Sequence, residues 1–142
     1  MRDLKNWKGC ERPHRKVFEG RYVHLEPLDA GRHGDGLYEA ATDGDAAARF
    51  RWLPESPPES RAAFESWLEM AEASPDPMYF AVIDLESGKV GGRQTMMRMD
   101  PANGVSEIGH IHWGPRVAQK PASTEAFYLL GQHLFDELGY RR

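Results

Sequence analysis

The chemistry in this chain concentrates between Val105 and Leu138. The run Val105-Ser-Glu-Ile-Gly-His-Ile-His-Trp-Gly-Pro115 places Glu107, His110 and His112 close together, and Lys120 follows in a short basic loop. Glu107 has the chemistry of a general base for an amine, directly or through a water. The same residue also reads as a solvated or hydrogen-bonded carboxylate on a sheet. His110 and His112 stand at i and i+2, a spacing that puts two imidazoles on one face of a strand, as metal ligands need. No acidic or cysteine ligand stands nearby to complete such a site, so no metal is expected. Lys120 precedes Ala122, Ser123 and Thr124 at the start of a helical pattern. A helix N-terminus offers unpaired N–H groups and the positive end of its dipole, which together suit a phosphate. Plain capping by Ser123 or Thr124 is the other reading. No Ser-His-Asp elbow, phosphate-binding Walker loop or dinucleotide fingerprint occurs.

These residues need elements to hold them. Tyr22 to Leu28 alternates apolar and polar residues and predicts a strand, with Pro27 at its edge or end. Asp29 reads as the cap of a helix with Leu37, Tyr38, Ala40 and Ala41 on its inner face, ended by Asp43-Gly-Asp45. Phe50, Trp52 and Leu53 precede a proline cluster and read either as walls of a cleft or as core under a loop. Ser60 or Pro58 opens a second helix, with Ala62, Ala63, Trp67, Met70 and Ala71 at helical spacing. Met78 to Leu85 and Val90 to Met99 predict a hairpin, and Gly91-Gly92 a bulge or close backbone approach. Asp100 to Gly104 is a turn, and Val105 to Trp113 completes a three-strand meander. Strict alternation there puts Glu107, Gly109, Ile111 and Trp113 on one face and Ile108, His110 and His112 on the other, unless a bulge breaks it. The final helix spans about Ser123 to Leu138, with Ala126, Phe127, Leu130, Leu134 and Leu138 inward and Gly139 as its C-cap. Tyr140 to Arg142 reads as the start of another strand.

The whole chain bounds the function. Its 142 residues carry 18 Lys and Arg against 22 Asp and Glu, a formal charge of −4, which argues against an obligate nucleic-acid binder. The 40% hydrophobic content is that of a globular domain. Cys10 is the lone cysteine, so no intrachain disulfide is expected. No apolar run approaches a membrane span and no signal-peptide core is seen, so the expected location is cytoplasmic, with no membrane partner.

The ordered set of Glu19-Gly-Arg-Tyr-Val-His-Leu-Glu-Pro-Leu28, Tyr79-Phe-Ala-Val-Ile-Asp84, Ser87-Gly-Lys-Val-Gly-Gly92, Glu107-Ile-Gly-His110 and Thr124-Glu-Ala126 resembles the GCN5-related N-acetyltransferases (GNAT). Within them it resembles the ribosomal-protein N-terminal acetylase (RimJ/RimL-like) branch. The resemblance covers residues 19–142, leaving 1–18 as an N-terminal arm. It implies an α/β (α+β) fold with a mixed, mostly antiparallel sheet flanked by helices. It implies transfer of an acetyl group from acetyl-CoA, as co-substrate, to a primary amine by direct attack, the amine belonging to a small molecule or a peptide N-terminus. Pantetheine contacts would come from His112, Trp113 and Gly114. The pyrophosphate would meet Lys120, Ala122, Ser123 and Thr124. Glu107 and His110 are the implied bases, and Phe50, Trp52 and Tyr79, with Trp67, the acceptor walls. Two departures stand out. The family's Gln/Arg-x-x-Gly-x-Gly/Ala loop falls on Ala118 to Ser123, where Pro121 replaces a glycine and removes an N–H donor. The family fold also continues past this helix, so the chain reads as C-terminally short. The open sheet edge could be completed by a second copy, and a non-catalytic GNAT-like binding or assembly module is the alternative function.

Overall fold

The structure is a computed structural model and describes residues 4–142. After a short 3-10 turn at Leu4–Asn6 the order is β1 Phe18–Glu19, β2 Val23–Pro27, α1 Ala30–Thr42, α2 Ala46–Phe50, α3 Arg61–Ala73, β3 Met78–Asp84, β4 Lys89–Asp100, β5 Val105–Trp113 and α4 Pro121–Gln132. α4 runs on into a π-helical turn at His133–Glu137. The strands form one antiparallel sheet in the order β1-β2-β3-β4-β5, with helices on both faces.

Strand periodicity explains the two faces. Met78, Phe80 and Val82 of β3 join Val23, Leu25 and Met96 in a core closed by Ala126, Leu130 and Leu134 of the α4 helix. The intervening Tyr79 and Ile83 turn to the other face, where Leu28 and Val90 pack with Leu37, Phe64, Leu68 and Ala71 of α1 and α3. Each fully buried Leu or Phe here contributes about 1.5–3 kcal/mol through apolar burial. β3 is buried on both faces, as its apolar density requires.

The caps follow the side chains. Asp29 accepts from Arg32 N at 2.8 Å, and His33 Nδ1 accepts from Asp29 N at 3.1 Å, a reciprocal start for α1. Asp45 accepts from Ala48 N at 3.0 Å and starts α2, a helix that the reading of Phe50 and Trp52 as loop residues did not contain. Ser60, not Pro58, opens α3 by accepting from Ala63 N at 3.1 Å. The face of α3 differs from the alanine spacing. Phe64, Leu68 and Ala71 are buried, whereas Ala62, Ala63 and Met70 are exposed. Alanine is too small to anchor a face when Phe64 and Leu68 lie one step round the helix. In α4 and the π-helical turn after it, Leu129 and His133 are buried and Phe127 is exposed.

Two glycines fix close approaches. The β3–β4 register jumps between Val82 and Ile83, leaving Gly91 as a bulge, and a Cβ there would collide with Val117 of the loop before α4. A Cβ on Gly92 would collide with the carbonyl of His112, so Gly92 brings β4 and β5 together at the end of β5. Gly139 takes φ 75° after the last helical turn, as a C-cap glycine does. Residues 140–142 form no strand ladder. Arg141 N donates to Gly104 O and Ser106 N to Arg142 O, each at 3.0 Å, beside the start of β5.

Candidate active site

A second irregularity builds the site. Gly109 of β5 pairs with Thr95 and His112 with Arg93, so three steps along β5 match two along β4. The extra residue is His110, which takes φ 45°. This left-handed turn is costly for a non-glycine residue, and such outliers concentrate at functional positions. The bulge breaks strict alternation. Gly109 and His112 face the same side of the sheet, towards α1 and α3, and His110 is swung to that side as well.

The loop between α2 and α3 supplies what they meet. Pro54, Pro57 and Pro58 stiffen that loop, and its Glu55 meets residues of the sheet. Its Oε1 lies 2.7 Å from His110 Nδ1, and its Oε2 is paired with the Arg93 guanidinium. Arg93 also donates to the His110 carbonyl at 2.7 Å and lies 4.7 Å above the Trp67 ring and 5.9 Å from that of Tyr79. Arg93 is almost fully buried, and Glu55 keeps it from being an unpaired interior charge. Burial pushes the Glu55 carboxyl up. The Arg93 charge and the hydrogen bonds from Arg93 and His110 overcome that and hold it below the usual carboxylate range. Burial raises the Tyr79 hydroxyl, with Arg93 opposing. His110 Nε2 has no hydrogen-bond partner among the described residues.

Beside this group lies a cavity of about 160 Å³, walled by Phe50, Phe64 and Trp67 and floored by Glu55, Arg93 and His112. Phe50 stacks on His112 with ring centroids 4.5 Å apart. His112 is buried, and its Nε2 has no partner. Burial, with help from Arg93 and Arg49, pushes the His112 imidazole down to about 4, so it is neutral at neutral pH.

The residues singled out in the sequence fall in several places. Glu107 shares the sheet face but sits away from the cavity, exposed and bridged to Arg98 at 2.9 Å. Phe50 walls the cavity as expected of a cleft residue, and Tyr79 lies beneath Arg93. Trp52 is 88% exposed and forms no part of this cavity, because α2 turns Phe50 inward instead. The Gly114 N–H is spent on Gly91 O at 2.8 Å, while the Trp113 indole N–H is buried without an acceptor. The start of α4 has no side-chain cap: Lys120 makes no capping bond, and Pro121 occupies the first turn. Ser123 turns both N–H and hydroxyl back to Lys120 O, at 3.1 and 2.9 Å. That leaves the amides of Ala122 and Thr124 at the helix start. Lys120, Pro121, Ala122 and Arg21 border a second hollow of about 470 Å³, which Asp84 and Glu86 also line. The uncapped helix start, Lys120 and Arg21 favour a phosphate there, whereas Asp84 and Glu86 oppose one and Pro121 removes one donor. Thr124 does not line that hollow. Glu55 and Arg93 were missed in the sequence. A charged residue inside the apolar β4 is the signal that points to Arg93, and a carboxylate in a proline-stiffened loop is its natural partner.

The profile of the acetyltransferase (GNAT) domain matches residues 23–142. This chain belongs to the GNAT acetyltransferase family. The GNAT domain is 59% identical to a GCN5-related N-acetyltransferase from Brucella melitensis, with a TM-score of 0.94, covering 97% of this chain and 62% of that one. A probable acetyltransferase of the GNAT family from Chromobacterium violaceum is 33% identical, with a TM-score of 0.85, covering 99% of this chain and 70% of that one. An acetyltransferase of the family from Bacillus anthracis, 14% identical, shares the fold with a TM-score of 0.68, covering 85% of this chain and 67% of that one. No curated protein matches the sequence. The chain therefore spans under two thirds of the length of the Brucella protein. Among the described residues, no helix is long and apolar enough to cross a membrane, and no group of three or more His, Cys, Asp or Glu side chains could hold a metal ion.

Proposed function

We propose that this GNAT domain, in its whole protein, transfers an acetyl group from acetyl-CoA to a primary amine of a small molecule or peptide N-terminus. The observation that carries the reading is the Glu55–His110 pair. Glu55 engages His110 Nδ1 at 2.7 Å, so in the neutral imidazole the Nε2 lone pair is left to accept a proton from the amine. Glu55 fixes that tautomer and stabilises the imidazolium once formed. As the amine nitrogen bonded to the thioester carbonyl carbon its proton would pass to His110, and the C–S bond would break to release CoA as a thiolate, which takes a proton from the His110 imidazolium or from solvent. Glu107, held by Arg98 on the exposed strand, is the second candidate base. Acetyl-CoA would place its pyrophosphate by Lys120 and the Ala122 and Thr124 amides, Ser123 serving to shape that turn. Its pantetheine arm would follow the outer edge of β5 near His112 and Trp113. Membership of the ribosomal-protein acetylase branch rests on the sequence motifs, and a cytoplasmic location is proposed with it.

Amine-dependent release of CoA thiol tests the proposal. A His110→Ala variant is expected to lower the rate about 10²–10⁴-fold while acetyl-CoA affinity stays within about twofold. An unchanged rate would remove His110 as the base. Acetyl-CoA binding with no thiol release from any amine would instead favour the non-catalytic module.

A further inference from the structure

The cavity beside Glu55 has features that a generic amine site does not need. Its volume of about 160 Å³ is that of a pocket able to hold a benzene-sized group. Its walls are apolar and largely aromatic: Phe64 and Trp67 stack with centroids 5.2 Å apart, Phe50 stacks on His112, and Leu37 and Pro58 add aliphatic surface. Its formal charge is balanced, since Glu55 and Arg93 match one to one and no other carboxylate lines it. A second positive charge on an acceptor would find no free counter-charge there. Two polar side chains remain on the lining, Ser56 and His112, and of these the His112 Nε2 is buried without a partner. A buried polar atom left unpaired costs free energy that a ligand hydrogen bond would recover.

We propose that the acceptor is a monoamine whose arm is an uncharged, aryl-sized group bearing a hydroxyl, and that this hydroxyl meets His112 Nε2. This rests on the acceptor reading of the cavity. A hydroxyl can donate or accept, so it satisfies either tautomer of a neutral imidazole. An ammonium or guanidinium arm would lie against Arg93 and is rejected. A plain aryl arm fits the walls but leaves His112 unpaired.

Binding of tyramine, phenethylamine and spermidine to the full chain, measured by calorimetry without an acyl donor, tests the assignment. Tyramine is expected to bind about tenfold more tightly than phenethylamine, and spermidine not measurably. In His112→Phe, which keeps a ring on Phe50, the tenfold advantage disappears. Nitrogen NMR of the His112 ring in the unmodified protein gives a reading independent of that variant's folding. The Nε2 resonance is expected to shift with tyramine and to remain in place with phenethylamine. Equal affinities for the two arylamines would mean that solvent satisfies His112 and would overturn the proposal. So would an advantage that survives His112→Phe, an unmoved Nε2 resonance, or spermidine binding as tightly as tyramine. If tyramine shows the expected binding but receives no acetyl group from acetyl-CoA, the transfer reading fails while the cavity assignment stands. If other amines are acetylated and tyramine has no advantage, only the assignment fails.

Discussion

Arg93, Glu55 and the two histidines form one electrostatic unit, and each can be perturbed with a definite sign. Glu55→Ala leaves the Arg93 guanidinium buried without its counter-charge. A loss of about 3–5 kcal/mol in urea unfolding is expected, against within about 0.5 kcal/mol for the exposed Glu69→Ala. Equal losses would mean that solvent screens Arg93. His112 titrates in the opposite sense from a stabilising pair. Its folded value, about 4, lies below the ordinary 6.5, so between these limits the unfolded chain binds more protons. Stability contributed by neutral His112 is complete above about pH 6.5 and is lost as pH falls towards 4. The full swing is about 3 kcal/mol. Unfolding of His112→Phe between pH 7 and pH 4 should show a correspondingly flatter profile, and an identical slope would mean that the imidazole is not desolvated. Glu55 acts lower: its depressed value adds stability above the ordinary carboxylate range, lost as pH falls through the folded value.

At the scale of elements, α3 tests how a helix chooses its face. Phe64, Leu68 and Ala71 recur at i, i+4 and i+7, and all are buried against α1 and β3. Leu68→Ala is expected to cost about 2–5 kcal/mol in thermal or urea unfolding, and Met70→Ala within about 0.5 kcal/mol. Comparable losses would restore the face drawn through the alanines. The start of α4 carries a binding prediction. Lys120→Ala should weaken acetyl-CoA binding about threefold to tenfold at low salt, with the difference shrinking as salt rises. Unchanged affinity would remove Lys120 from the phosphate site. Element types and order were legible in the sequence because strand alternation, turn chemistry and caps are local. The meander and the Gly139 stop could be read that way, while Ser60 stayed level with Pro58 as the start of α3 and Gly91-Gly92 read as a bulge or a close approach. A bulge in β5 was foreseeable, but its place at His110 was not, because that depends on the pairing of β5 with β4. Alternation already put the two histidines on one face, but it could not show that Gly109 shares that face, nor that Glu55 meets His110 there.

Across the whole molecule, the N-terminal arm lies over the domain, and the partners it meets span most of the chain. Trp7 Nε1 donates to Ala102 O at 2.7 Å, and the Trp7 ring lies 5.6 Å from the Arg141 guanidinium. Cys10 N donates to Pro101 O at 3.0 Å, Arg12 to Pro75 O at 2.6 Å, and Arg15 to Ser74 O at 2.8 Å. His14 N donates to His133 Nε2 at 3.1 Å, Lys16 pairs with Glu137 at 3.0 Å, and the Tyr140 hydroxyl donates to Glu11 O at 3.0 Å. The arm thus ties the β4–β5 turn, the end of α3 and the π-helical turn after α4 to one another. All three lie outside the lining of the cavity. His133 is fully buried, so losing the His14 donor would leave its Nε2 without a partner. Individual bonds of this kind contribute about 0.5–1.5 kcal/mol, and most here are exposed, so deleting residues 1–16 should cost on the order of 3 kcal/mol. The loss should be local. Amide exchange is expected to quicken from Leu134 to Tyr140 and around Ala102, while the amides of Arg93, Thr95 and His112 keep their protection relative to global stability. Uniform acceleration, with the cavity strands exchanging as fast as the π turn, would show instead that the arm holds the sheet together and that the cavity depends on it.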